Sequence, residues 1–230
     1  PDRIAAQWLA DFAQAVASGD IQAANMAFGE ECYWRDLLVF SWNIITCEGR
    51  RSIAAVLEST RLGTQASQWK VDGPAALVNG NVEAWFTLET ATGRARGHLR
   101  IKEGKCRTLF TTLIELKGFE EPRGTRRVRG AEHGADRSRT TWKERRQQEA
   151  ESLGSTTQPY VLVVGGGQGG IALGARLRQL GVPSLVLDKH PRPGDQWRGR
   201  YKSLCLHDPV WYDHLPYVKF PDTWPVFAPK

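Results

Sequence analysis

Residues 160–170 read Tyr-Val-Leu-Val-Val-Gly-Gly-Gly-Gln-Gly-Gly, and this stretch decides the fold of the second half of the chain. It begins with a short apolar run rich in β-branched residues, which is typical of a parallel strand buried on both faces. The pattern G-x-G-x-x-G follows at once, from Gly165 to Gly170. Leucines at helical spacing then predict a helix that ends at Gly181, and a second strand is predicted over 184–187. This order of strand, glycine turn, helix and strand indicates a Rossmann-type α/β unit.

Each conspicuous residue of this unit has a physical role in holding a dinucleotide. Gly165 permits the tight turn, Gly167 lacks the Cβ that would block a pyrophosphate, and Gly170 lets helix and strand pack closely. The helix points free N–H groups and its positive dipole end at that pyrophosphate. Asp188 can accept hydrogen bonds from a ribose diol and repels a 2′-phosphate, which favours FAD or NAD over NADP. The candidate cofactor-binding residues here are Gly165, Gly167, Gln168, Gly169, Gly170, Asp188 and Lys189.

Residues 159–230 resemble the opening of the FAD-binding domain of class B flavin-dependent monooxygenases, of the flavin-containing and YUCCA-like (indole-pyruvate) kind. Besides the glycine motif, the resemblance rests on residues 187–189, on Gly-Asp-Gln-Trp-Arg at 194–198, on Leu-Cys-Leu-His-Asp-Pro at 204–209, and on the aromatic, proline-rich residues 211–225. It implies an oxidoreductase that uses FAD reduced by NADPH and acts on a small organic substrate. By this resemblance, Gln196, Trp197 and His207 are candidate flavin-side contacts. It assigns no catalytic residue and no metal site.

The sequence departs from that family in what it lacks. A second G-x-G-x-x-G, which holds NADPH in the family, does not occur, and neither does the signature F-x-G-x-x-x-H-x-x-x-F. The chain also begins at Pro1 without a methionine and stops at Lys230. We therefore expect a fragment that contains only the first βαβ unit of the FAD domain. We expect such a fragment to bind FAD weakly or not at all, and to be inactive alone.

Residues 1–118 predict a separate α+β domain. Ile4, Trp8, Leu9, Phe12 and Val16 form a helical apolar stripe, and Asp20 is a candidate cap for a second helix that extends to Phe28. Three strands are predicted between residues 82 and 116 from the alternation of apolar and polar residues. This order resembles the NTF2-like (SnoaL-like) cone, a curved sheet wrapped around a helix. The alternative function is accordingly a small-ligand-binding or dimerisation module with a vestigial dinucleotide-binding tail, and a homodimer through this domain is the expected assembly.

Two sets of side chains in the N-terminal domain are candidates for function. His98 lies on an alternating strand and could form an acid/base pair with Asp36, although a hydrogen-bonded strand histidine is the simpler interpretation. Trp34 and Trp42 are interpreted as core residues instead of a ligand cage.

Residues 119–158 predict a linker with a polar helix that opens at a capping box, Thr141-x-x-Glu144. The chain has 31 Lys and Arg against 25 Asp and Glu, a net charge of +6, and the excess lies in residues 123–146. This basic segment could bind the phosphate backbone of a nucleic acid. A solvated connector between domains fits better, because no aromatic residues alternate with the arginines. We therefore expect no nucleic-acid partner.

Composition sets the expected location of the protein. The four cysteines lie far apart without a CxxC pair, which favours a reducing compartment over a disulfide framework. No apolar run is long enough for a membrane span, and no signal region begins the chain. The sequence therefore predicts a cytoplasmic protein that does not associate with a membrane.

Overall fold

The computed structural model describes residues 1–130, 134 and 138–230. The chain forms two compact units, Pro1–Glu120 and Glu121–Lys230. The predicted domain bounds of 1–118, 119–158 and 159–230 stay a prediction. Part of the arginine-rich stretch predicted as a linker lies outside the described residues.

The first unit is a mixed α+β structure with helices packed on a seven-stranded sheet. Its helices are α1 (Asp2–Ser18), α2 (Ile21–Met26) and α3 (Gly49–Thr64). Its strands are β1 (Phe28–Leu37), β2 (Ile44–Glu48), β3 (Ser67–Val71), β4 (Ala76–Val78), β5 (Asn81–Glu89), β6 (Gly93–Lys102) and β7 (Lys105–Leu116). The sheet order is β2-β1-β7-β6-β5-β3, with β4 also paired to β5. Only β1 and β7 run parallel among these pairs.

Aromatic side chains build the core between α1 and the sheet. The Trp8 and Phe12 rings stack at a centroid distance of 5.0 Å, and Phe28 meets both edge-on. The predicted apolar stripe of α1 is buried apart from Ile4, which is 45% exposed. Its neighbour Ala5 is fully buried in its place. The buried face of α1 is therefore rotated slightly from the predicted stripe, and it includes Ala5 and Ala15.

The start of the second helix was predicted correctly, but its end was not. The Asp20 carboxylate accepts a hydrogen bond from the Ala23 N–H at 2.8 Å, as expected of a cap. The helix ends at Met26, however, and Phe28 begins β1 instead of continuing the helix. Pairing of Phe28 with Cys106 across 78 residues decides this, because such a partner is invisible to a local pattern.

The two tryptophans predicted to be core residues differ in position. Trp34 is fully buried, and its indole N–H donates to the Thr111 hydroxyl at 2.9 Å. Trp42 is exposed and has a left-handed backbone, with φ of 51°. The core interpretation of Trp42 is wrong because residues 38–43 form a tight connection between β1 and β2, with Trp42 on its outside.

The second unit contains a parallel strand pair joined by a helix. Its elements are α4 (Trp142–Ser152), β8 (Val161–Val164), α5 (Gln168–Gln179), β9 (Ser184–Leu187) and α6 (Asp195–Arg198), preceded by a single 3-10 turn at Gly124–Arg126. Strands β8 and β9 pair in parallel from Val161 with Ser184 to Val164 with Leu187. The predicted capping box of α4 is confirmed in both directions: Glu144 N–H donates to Thr141, and the Thr141 N–H donates to the Glu144 carboxylate. Within the described part of the chain, every helix is too short or too polar to cross a membrane.

The expectation that β8 is buried on both faces is wrong for this chain. Val163 is buried beneath α5, whereas Val164, which points to the other face, is 83% exposed. The apolar composition of the strand is suited to two covered faces. Among the described residues, however, a single helix packs on this two-stranded sheet and covers one of them.

Candidate dinucleotide-binding site

The turn between β8 and α5 has a geometry that requires glycine at two positions. Gly165 has φ of +105°, which side-chain-bearing residues rarely adopt, and its N–H donates to the Leu187 carbonyl at 2.7 Å. A Cβ on Gly170 would lie 1.8 Å from the Gly165 carbonyl oxygen. The first turn of α5 thus contacts the backbone of the turn directly. Gly165 and Gly170 play the roles that the sequence predicted for them, the tight turn and the close approach.

The N-terminus of α5 is open to a ligand. Gly167 is its N-cap and supplies no side-chain hydrogen bond, so the first N–H groups of the helix lack a side-chain acceptor. A Cβ at Gly169 would meet nothing within 4 Å, which leaves free space beside these donors. Such a terminus attracts phosphate oxygens through its N–H groups and the helix dipole. The Gln196 amide lies in front of Gly167, about 3.0 Å from the place of a Cβ there.

Asp188 lies at the end of β9 and orders the glycine turn. Its carboxylate accepts hydrogen bonds from the Gly166 N–H at 2.6 Å and from the His190 N–H at 2.7 Å. These bonds, from His190 and then Gly166, lower the pKa of Asp188 below its ordinary value. The side chain is exposed and therefore carries a negative charge next to the turn at neutral pH. Lys189 is also exposed, and no contact places it at the turn.

A cavity of about 420 Å³ opens beside the start of α5. Gln168 and Ile171 of α5 contribute to its lining, as do Gln196 and Trp197 of α6. The structure thus brings two of the three predicted flavin-side contacts to one cavity next to the glycine turn. His207 is exposed and is not among the lining residues, so the structure does not bring it there.

Sequence reasoning missed the aromatic wall of this cavity. Leu215, Phe220 and Trp224 line it from the segment that follows β9 and α6. The composition of this segment is the only local signal, since its aromatic residues and prolines indicate a packed loop without showing what it packs on.

The acid/base pair considered for His98 and Asp36 does not form. Asp36 is fully buried and accepts hydrogen bonds from Thr111, Ser41 and Phe40. His98 lies on the other face of the sheet, in the alternate set of β6 positions, with Nε2 3.7 Å from a Glu83 oxygen. Side chains alternate between faces along a strand, and the register places these two on opposite faces.

We expect the imidazole of His98 to titrate below the ordinary histidine pKa of about 6.5. Burial is the main cause that lowers the pKa of His98; Glu83 opposes it, and Arg100 and Arg96 add to it. The neutral ring therefore stabilises the fold above the ordinary pKa, and this contribution is lost as the pH falls through the lower folded-state pKa. Nuclear magnetic resonance titration of the ring should show the low midpoint. Glu83→Gln should lower it further, and a midpoint at or above 6.5 would contradict the assignment.

Comparisons with known proteins agree with the geometry of the second unit. Residues 163–218 match the family model of the NAD(P)-binding Rossmann-like domain. An oxidoreductase described as CzcO-like from Geobacillus kaustophilus is 45% identical over 56 residues, 24% of this chain and 16% of its own length. Indole-3-pyruvate monooxygenase YUCCA1 of Oryza sativa is 35% identical over 82 residues, 35% of this chain and 20% of its own length. The predicted similarity to YUCCA-type monooxygenases is confirmed for this part of the chain, which spans a fifth or less of these relatives.

Solved structures similar to the chain include an NTF2-like protein from Cytophaga hutchinsonii, with a TM-score of 0.34 and 14% identity, covering 46% of this chain and 87% of that one. A protein of the SnoaL-like family from Agrobacterium tumefaciens has a TM-score of 0.36 and 17% identity, covering 49% and 96%. These TM-scores are low, and the description of the first unit therefore rests on its own helices and strands.

Proposed function

We propose that this chain carries the part of a flavin-dependent monooxygenase that holds the adenosine diphosphate half of FAD. In this proposal β8, α5 and β9 are the first βαβ unit of the FAD domain. The whole protein would use NADPH and oxidise a small organic substrate. The chain would be a fragment of that protein and inactive alone.

The observation that carries the proposal is the uncapped N-terminus of α5 behind a turn that only glycine can form. Its exposed N–H groups suit a diphosphate, and the charge of Asp188 suits a ribose diol without a 2′-phosphate. The cavity beside it is lined mainly by apolar and aromatic side chains and fits a planar ring. The residues present therefore fit FAD at both of its halves.

The chemistry of oxygen activation belongs to the reduced flavin ring when FAD is bound. The residues of this chain have the tasks of binding and orientation. With FAD bound, Gln168, Gly169 and Gly170 would donate their N–H groups to the diphosphate, and Asp188 would accept from the ribose hydroxyls. Trp197 and the apolar cavity wall would exclude water from the ring.

Titration of the isotope-labelled chain with ADP tests the proposal by nuclear magnetic resonance. We expect the amide signals of Gln168, Gly169 and Gly170 to move most, because their N–H groups would bond the diphosphate. Of the two outcomes expected from the sequence, weak binding and no binding, the uncapped N-terminus of α5 favours weak binding, so the titration extends to millimolar ADP. Adenosine, which lacks the diphosphate, is the matched control and should not move these signals. If ADP moves only signals outside the turn, or none, the proposal is wrong.

A second pair of ligands tests the part assigned to Asp188. Adenosine 2′,5′-bisphosphate should bind several-fold more weakly than AMP, because its 2′-phosphate would lie against the carboxylate. The difference should shrink as salt is added, since exposed charges are screened. Equal affinities for adenosine 2′,5′-bisphosphate and AMP would show that Asp188 does not lie at the ribose.

The alternative, in which residues 1–118 are the working part as a small-ligand module, has less support. Aromatic rings pack the space between α1 and the sheet, and the buried Asp36 carboxylate is engaged by its own fold. A homodimer through this unit remains a proposal, which sedimentation of the chain would test.

A further inference from the structure

A buried carboxylate joins three segments of the second unit. Glu121 is only 4% exposed and accepts hydrogen bonds from Arg123, at 2.9 Å from its Nε, and from Arg176 of α5. Arg176 also donates to the Tyr217 hydroxyl oxygen at 3.3 Å, so its guanidinium links Tyr217 to Glu121. We call Glu121, Arg123, Arg176 and Tyr217 the Glu121 cluster. Burial of a carboxylate is costly unless several donors satisfy it, so these four side chains are held in one arrangement.

Tyr217 is held in an unfavourable backbone conformation. Its φ is +68°, in a turn that the Val218 N–H closes on the Leu215 carbonyl at 3.2 Å. Pro216 occupies the first central position of this turn, and the second, with positive φ, is one that normally belongs to glycine. A tyrosine here costs stability that the surroundings must offset. The hydrogen bond that its hydroxyl accepts from Arg176 provides a reason for a side chain at this position.

The strained turn is the tip of a loop that walls the candidate cavity. Residues 211–225 form a loop whose base is closed by a hydrogen bond, in which the Val210 N–H donates to the Val226 carbonyl at 2.9 Å. Leu215 and Phe220, on either side of Tyr217, line the cavity together with Ile171 of α5. The loop and α5 are two walls of this cavity, so the distance between the loop tip and α5 sets the width of the cavity.

We propose that Tyr217 is a positioning residue that, tied to Arg176 and through Arg176 to Glu121, sets the aromatic wall of the cavity against α5. This inference rests on the proposed function, because the cavity is taken to receive the ring half of the dinucleotide. Residues 121–123 then belong to the ligand site through their contacts with α5 and the loop, although they lie some 45 residues before the glycine turn. The diphosphate half, bound at the N-terminus of α5, does not depend on the cluster.

Hydrogen exchange of the full chain tests the positioning without any ligand. Tyr217→Phe removes the hydroxyl and keeps the ring, so we expect peptides from residues 211–225 to exchange at least several-fold faster. Tyr212→Phe is the matched control, because Tyr212 lies in the same exposed loop and lines no part of the cavity. Glu121→Gln should act like Tyr217→Phe. Unchanged exchange in both variants would overturn the inference.

A comparison of FAD with ADP tests the link to the ligand. The ratio of the ADP dissociation constant to the FAD dissociation constant measures how much the ring half of FAD adds to the affinity. We expect this ratio to fall towards one in Tyr217→Phe. The ADP constant itself should stay as in the unaltered chain, which a general loss of structure would not allow. An unchanged ratio in Tyr217→Phe overturns the positioning role. Absence of ADP binding in the unaltered chain overturns the proposed function, so the two failures are distinguishable.

Discussion

Gly170→Ala should abolish ADP binding and destabilise the second unit by about 3 kcal/mol or more. The added Cβ would lie 1.8 Å from the Gly165 carbonyl oxygen, and no side-chain rotation can relieve this clash because the backbone fixes the positions of both atoms. Helix α5 must then shift from β8 and carry its N-terminal N–H groups out of place. Thermal unfolding by circular dichroism and the ADP titration measure the two effects.

Gly169→Ala is the matched control for that variant. It adds the same methyl group one residue earlier in α5, where nothing lies within 4 Å. Alanine is the better helix former, so we expect the stability of the second unit to stay equal or to rise by about 0.5–1 kcal/mol. If both alanine variants are destabilised equally, the role of Gly170 is not to allow the close approach of the turn and the helix.

Asp36→Ala should be the most destabilising polar substitution in the first unit, at about 3–5 kcal/mol. One carboxylate oxygen accepts from the Ser41 N–H at 2.9 Å, the Ser41 hydroxyl at 2.7 Å and the Phe40 N–H at 3.1 Å. The other accepts from the Thr111 hydroxyl at 2.7 Å. The Phe40 N–H and the Thr111 hydroxyl would lose this acceptor at buried positions, and the Ser41 N–H would lose it at the edge of the core. Urea unfolding, followed through the amide signals of β6, measures the change.

Two further variants separate the possible causes of that loss. Asp36→Asn keeps one acceptor oxygen, so we expect a smaller loss of about 1–2 kcal/mol. Asp72→Ala removes a half-exposed carboxylate that pairs with Arg96 at 3.0 Å, and it should cost no more than about 1 kcal/mol. A loss in Asp36→Ala no greater than in Asp72→Ala would mean that Asp36 is free for another task, and would revive the small-ligand alternative.

The sequence predicted well those features whose partners lie within a few residues. The glycine turn at 165–170, the capping box at Thr141 and the alternating strand β5 all depend on local steric and hydrogen-bonding rules. The same rules failed where a distant strand competed. Phe28 begins β1 instead of extending the predicted helix, because it pairs with Cys106 of β7, and its side chain is fully buried there.

The sequence alone predicted the shape of the glycine turn at the start of α5, since the backbone there follows from the glycines themselves. The tertiary structure alone decided which side chains share a place. It set Asp36 and His98 on opposite faces of one sheet, and it brought Trp197 to the cavity while leaving His207 outside. It also joined Arg176 to Glu121 and to Tyr217 across 55 and 41 residues. Contacts at such separations depend on how elements pack, and packing is a property of the whole core that no local pattern records.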